Sequence, residues 1–141
     1  MEPLDLSARP PRPPRQQLDG LTFLPRTIDK LRASLSGGNL GEYQIRGFTA
    51  SLLQTLGVDE EAIRGAVAAA QSDEDVARWL REHADVSKYG EWNATIEASA
   101  VNDENRERLQ KRYPVLLRNP HVTSLLDMLE LDDREAFAPA T

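Results

Sequence analysis

Two arginines, a lysine and an aspartate crowd one short stretch of this chain, Leu24-Pro25-Arg26-Thr27-Ile28-Asp29-Lys30-Leu31-Arg32, and Gly41-Glu42-Tyr43 follows soon after. On a helix, Arg26, Asp29, Lys30 and Ala33 share one face, opposite the apolar stripe, while Arg32 lies to its side. A guanidinium and an ammonium near a helix start, beside its free N–H groups, suit a carboxylate or a phosphate. Arg26, Lys30 and Arg32 are therefore candidate anion contacts, with Asp29 as their orienting partner and Tyr43 or Trp92 as a pocket wall. The same spacing describes a solvated charged face whose internal Asp–Arg and Asp–Lys pairs contribute little. It also allows acid–base chemistry of a cofactor-free isomerase or cyclase type. Glu42 or Asp29 would then act as base and Tyr43 as acid, provided that Glu42 is desolvated.

Much other chemistry is excluded by composition. The chain has no cysteine, which removes disulfides, thiolate metal sites and cysteine nucleophiles. His83 and His121 are its two histidines, too few for a site built of several imidazoles. No EF-hand loop, serine elbow, Walker loop or Gly-x-Gly-x-x-Gly run is present, so neither a metal nor a cofactor is expected. His83 falls on an apolar face and reads as a packed core residue, and His121 follows Asn119-Pro120 in the first turn of a helix. Trp79 and Trp92 read as core. For the carboxylates Glu91, Glu97 and Asp127 the spacing predicts no partner.

The elements that must position these residues come from a chain of 141 residues, the length of one ordinary domain. Its net charge of −6 is uneven. Residues 1–50 hold seven Lys/Arg against five Asp/Glu, and residues 51–141 ten against eighteen. An acidic body binds nucleic acid poorly, since phosphate neutralisation supplies most non-specific affinity. Any anionic partner is expected to be a small metabolite. The longest apolar run is five residues, Ala66 to Ala70, so no membrane span is expected. With an acidic, proline-bearing start and no apolar leader, the expected setting is the bacterial cytoplasm.

Arg9-Pro10-Pro11-Arg12-Pro13-Pro14-Arg15 favours extended backbone, because each ring fixes φ and restricts the residue before it. We expect residues 1–20 to form an Arg/Pro strap anchored by Leu4, Leu6, Leu18, Leu21, Phe23 and Leu24, ending in a turn at Asp19-Gly20. A protein-interaction module acting through PxxP spacing, with a partner protein or a second copy of the chain, is the alternative. Residues 27–35 read as a first helix capped by Thr27. Residues 40–47 read as a connector that allows one short strand at Tyr43 and Ile45. Residues 48–56 form a short helix closed by Gly57. Asp59 then caps a helix with Val58 and Ile63 as its hydrophobic staple, and Ser72 with Asp75 opens another over 72–84. Residues 88–100 and 102–113 read as helices, the second paired through Glu104–Arg108 and Glu107–Lys111. Asn119-Pro120 starts one more, with Val122, Leu125, Leu126 and Leu129 inward, and a last turn ends near Phe137. The expectation is an all-α fold in one domain, a compact bundle of about seven short helices. Its body spans 21–137, with a frayed tail at 138–141.

The run from Leu24 to Ala33 followed by Gly41-Glu42-Tyr43 resembles a bacterial family known as domain of unknown function 5069. Leu4-Asp5-Leu6 with Arg9-Pro10-Pro11-Arg12 is similar to that family's opening, and Leu56-Gly57-Val58-Asp59 to its middle. The sequence departs from the pattern at Leu31, where a small residue is commoner, and after Tyr43, where residues 44–49 are a compact version. The resemblance implies that the Arg26, Asp29, Lys30, Arg32, Glu42 and Tyr43 positions belong to a shared pattern, which a buried structural salt-bridge network would give as well as a site would, and it brings no activity.

Overall fold

A computed structural model describes residues 1–138. Among the described residues the chain is mostly helical, with eight α-helices, one 3-10 turn and a single two-stranded sheet. The eight replace the expected seven. No helix among these residues is long and apolar enough to cross a membrane. Of the expected frayed tail, Ala138 is exposed coil and 139–141 lie outside the described residues. The contacts gather the chain into two units, residues 1–94 and residues 95–141.

The first unit is built around α1 (Leu24–Ala33), nine of whose ten residues are buried. It starts three residues before the expected position and is not capped by Thr27. Its N-cap is Phe23, held in the left-handed region at φ 78°, with prolines permitted at the first turn and Pro25 placed there. What brings Phe23 to this conformation is a hairpin the periodicity did not show. β1 (Gln17–Leu18) pairs antiparallel with β2 (Leu21–Thr22). The two-residue turn Asp19-Gly20 has φ 54° and 75°, the primed geometry that matches strand twist. The Phe23 N–H then donates to the Gln16 carbonyl at 3.1 Å. No strand forms at Tyr43 and Ile45.

Residues 4–6 run beside the end of α1. The Leu4 N–H donates to the Arg32 carbonyl, the Asn39 N–H to Leu4 (3.0 Å) and the Leu6 N–H to Asn39 (2.8 Å). Leu4, Leu6 and Ala33 form a small core on which Leu40 and Tyr43 pack. α2 (Phe48–Leu56) ends at Gly57, α3 (Glu60–Ala69) is capped by Asp59 and α4 (Asp73–His83) by Ser72. All three agree with their local signals. His83 does not: it is exposed, its ring stacked on Trp79 with centroids 4.3 Å apart and its Nδ1 2.8 Å from the Trp79 carbonyl oxygen. The last helical turn carries it past the buried stripe of Val76, Ala77 and Leu80. The turn Val86–Lys88 leads into α5 (Tyr89–Ala98).

The second unit takes up the rest of α5, then α6 (Arg106–Arg112), α7 (Val115–Arg118) and α8 (Leu125–Ala136). α6 is shorter than expected because Asn102 and Asn105 close a turn on each other. Asn102 Oδ1 accepts from the N–H groups of Glu104 and Asn105, and Asn105 Oδ1 accepts from that of Asn102 at 2.8 Å. Asn and Asp side chains compete with helix in this way. Glu104 thus precedes the helix and loses its place opposite Arg108. Asn119-Pro120 starts no helix. Ser124 caps α8 instead, and α7 precedes it unannounced. An antiparallel bridge between Ala100 and Ser124 ties the start of α8 to the end of α5.

Candidate functional site

The face of α1 that carries Phe23, Arg26, Thr27 and Lys30 has helical spacing i, i+3, i+4 and i+7. It is not the solvated charged face that spacing alone allows. Arg26 is 1% exposed, Asp29 4% and Lys30 8%. Both cations sit against the same two aromatic rings. The Arg26 guanidinium carbon lies 5.9 Å from the Phe23 ring centre and 5.5 Å from that of Tyr43. The Lys30 ammonium lies 5.7 Å and 6.0 Å from the same two rings. Ring faces attract cations electrostatically, by about 0.5–2 kcal/mol per contact. Beside them the hydroxyls of Thr27 and Thr49, both fully buried, meet at 3.3 Å.

Asp29 does not orient Arg26 or Lys30 as expected. Arg12 engages it with four contacts. The Arg12 N–H donates to Oδ2 at 2.8 Å, Nε reaches both oxygens at 3.1 and 3.2 Å, and Nη2 reaches Oδ1 at 3.0 Å. The far side of the same guanidinium holds Asp73 at the start of α4, with Nη1 to Oδ2 at 2.6 Å. Hydrogen bonding to Asp73 first, and then to Asp29, holds the Arg12 guanidinium charged well above its ordinary range despite its desolvation. Arg12 also offers its own carbonyl to Arg26 Nη1 at 3.3 Å.

Tyr43 reaches this face through a tight approach. Gly41 has φ 59°, and a Cβ there would lie 2.9 Å from the Leu6 carbonyl oxygen. The motif glycine before Glu42-Tyr43 is thus required by backbone proximity, since a side chain would push the connector off residues 4–6. Gly41→Ala is expected to destabilise by about 2 kcal/mol, combining left-handed strain with overlap. A urea titration measures this, and a loss under about 0.5 kcal/mol would show that the connector yields freely.

The other expected site residues are dispersed. Arg32 is not brought to the two rings, and its Nε donates to the Glu2 carbonyl at 2.8 Å. Glu42 is exposed, so it lacks the desolvation its acid–base role needs. Trp92 is buried two rings away from the cations. It meets Phe48 edge-on at 6.3 Å, and Phe48 meets Phe23 at 5.6 Å. Its Nε1 donates to the Thr22 carbonyl at 2.8 Å, so it supports β2 and Phe23 rather than lining the cation face. His121 lies in the second unit, beside a depression of about 420 Å³ that also meets Arg118, Asp127, Glu130 and Arg134.

Sequence reasoning passed over Arg12, Phe23, Asp73 and the Thr27–Thr49 pair. Only Arg12 carried a signal, its place between Pro11 and Pro13, and that signal pointed to an extended strap, or alternatively to a recognition motif, and not to a partner for Asp29. Among the described residues no group of histidines or carboxylates is arranged to hold a metal. No curated protein matches the sequence. The family model described as Domain of unknown function (DUF5069) matches residues 8–135, a span that includes Arg12, Phe23, Arg26, Asp29, Lys30 and Tyr43. The chain therefore belongs to the DUF5069 family.

Proposed function

We propose that the protein binds a small anionic metabolite, a carboxylate or a phosphate, through Arg26 and Lys30, with Phe23 and Tyr43 as walls. The observation that carries this reading is the burial of both cations, at 1% and 8%, against one shared pair of rings. Taking charge out of water is costly, so burying both cations on one face supports a built site over a solvated charged face. Phe23 supports the same face. A bulky residue held at φ 78° stores on the order of 1–3 kcal/mol, and such strain concentrates where a side chain must be aimed. Binding is favoured over acid–base catalysis because Asp29 is taken up by Arg12 and Glu42 is exposed.

In the same reading residues 1–20 act as a strap rather than a recognition tail. Support comes from the buried Leu4, Leu6, Pro11 and Pro14 and from the long-range contacts of Arg12. Proteolysis checks this: cleavage within residues 1–20 of the native protein should be no faster than global unfolding allows.

The test of binding is a thermal-shift series on wild type, Arg26→Gln and Lys30→Met with acetate, inorganic phosphate and small di- and tricarboxylates. A ligand at about 100 times its Kd adds roughly 2.7 kcal/mol, which is several degrees for a chain of this size. Stabilisation of wild type that is lost in folded Lys30→Met supports the reading. Equal stabilisation of both proteins, or of neither, overturns it.

A further inference from the structure

Asp29 follows Arg26 by three residues, so on an isolated helix it would pair with that cation itself, and it immediately precedes Lys30. A carboxylate so placed competes directly with any anionic ligand. In the folded chain both Asp29 oxygens are instead turned to Arg12, which presents its N–H, Nε and Nη2 to them. An ionised carboxylate has about four acceptor sites, and Arg12 alone makes four contacts. Arg12 is fixed in turn from its other side by Asp73, with Nη1 at 2.6 Å and Nη2 at 3.1 Å, and by proline on both flanks. Pro11 is buried, and the ring of Pro13 restricts the Arg12 backbone. A residue so held loses little freedom in making these bonds.

We infer that Arg12 is a positioning residue that sequesters Asp29, so that the carboxylate nearest Arg26 and Lys30 in sequence does not neutralise them. The Pro11-Arg12-Pro13 run is the rigid arm that delivers it. This rests on the anion-binding reading above for its purpose, though not for its geometry. A merely structural Arg12 would hold α1 to α4 and nothing more, and the two roles separate when the competing charge is removed along with its captor.

The experiment uses the full chain as wild type, Arg12→Gln, Asp29→Asn and Arg12→Gln/Asp29→Asn. Each is read by calorimetric titration with inorganic phosphate and by the NMR titration of the Lys30 Cε–Hε group without ligand. Arg12→Gln should weaken phosphate binding roughly tenfold or more, as Asp29 turns to the cations. The double variant should recover wild-type affinity, and Asp29→Asn alone should bind at least as tightly as wild type. The Lys30 midpoint should rise in Arg12→Gln and fall back in the double variant, because a freed carboxylate favours the ammonium and an amide does not. If Arg12→Gln does not fold, Arg12→Lys keeps the charge without the bidentate fork and should show the same rise in smaller measure.

A double variant that folds but binds as weakly as Arg12→Gln overturns the inference, as does a Lys30 midpoint indifferent to Arg12. Wild type that ignores phosphate while the Lys30 midpoint rises and reverts as stated would uphold the sequestration and count against the anion site alone.

Discussion

Asp29→Leu is expected to lower folding stability by about 3 kcal/mol or more, among the largest effects of any single change in the first unit. The size follows from what leucine leaves behind. Arg12 would face a hydrocarbon where four contacts had been, while Arg26 and Lys30 stay buried on the same helix. Removing one partner of a buried ion pair costs about 3–5 kcal/mol because the other charge is stranded. Arg12 keeps Asp73 at 2.6 Å and its side chain is 29% exposed, so its charge is only partly stranded and the lower end applies. Asp29→Asn keeps an acceptor for the Arg12 N–H and is expected to cost less than half as much. Equilibrium urea unfolding of the two variants measures the contrast. Equal losses would mean that packing at this position matters and its charge does not.

Trp92→Ala is expected to cost about 3–5 kcal/mol, the range for truncating a large buried aromatic. Trp92 is 2% exposed, and its edge-on contact with Phe48 continues to Phe23. Its indole N–H also satisfies the Thr22 carbonyl, while the neighbouring Asn93 accepts from the Thr22 N–H at 2.9 Å and donates to Gly20 at 2.7 Å. These two side chains of α5 thus hold the hairpin that sets Phe23. Trp92→Phe restores most of the apolar area but orphans a buried carbonyl, so about 1–2 kcal/mol should remain lost. A Trp92→Phe protein as stable as wild type would show that the hairpin needs only the ring. If the cation face binds an anion as proposed, Trp92→Ala should weaken that binding as well as folding, because Phe23 is one wall of the face.

These two residues show what was legible in the sequence. Trp92 read as core from its helical stripe, and the caps at Asp59 and Ser72 read directly, because a cap and its helix are neighbours in the chain. Phe48 to Leu56 closed by Gly57 was legible for the same reason. Asp29 was not. Its partner Arg12 lies 17 residues away, and the partner of Arg12 on α4 lies 61 residues further on. Helical periodicity assigns charged residues to water unless such a distant pairing is known, so the buried face of α1 read as a surface. The start of α1 moved for a related reason. A hairpin of two-residue strands is too short to alternate visibly, yet it drives Phe23 into the left-handed region and begins the helix three residues early. Asn119-Pro120 carried the form of a helix start without its outcome, because Ser124 supplied a better cap five residues later. Of the motif that matched the family, Arg26, Lys30 and Tyr43 meet at one face, while Arg32 and Glu42 turn elsewhere.

The depth of α1 has a consequence for how the molecule breathes. With nine of ten residues buried, its amide protons have no shallow route to solvent and must wait for the whole first unit to open. Hydrogen exchange along α1 is then a clock set by global unfolding. Any occupant of the Arg26–Lys30 face slows that clock by its full binding free energy, while the exposed ends of α3 and α4 keep their own time.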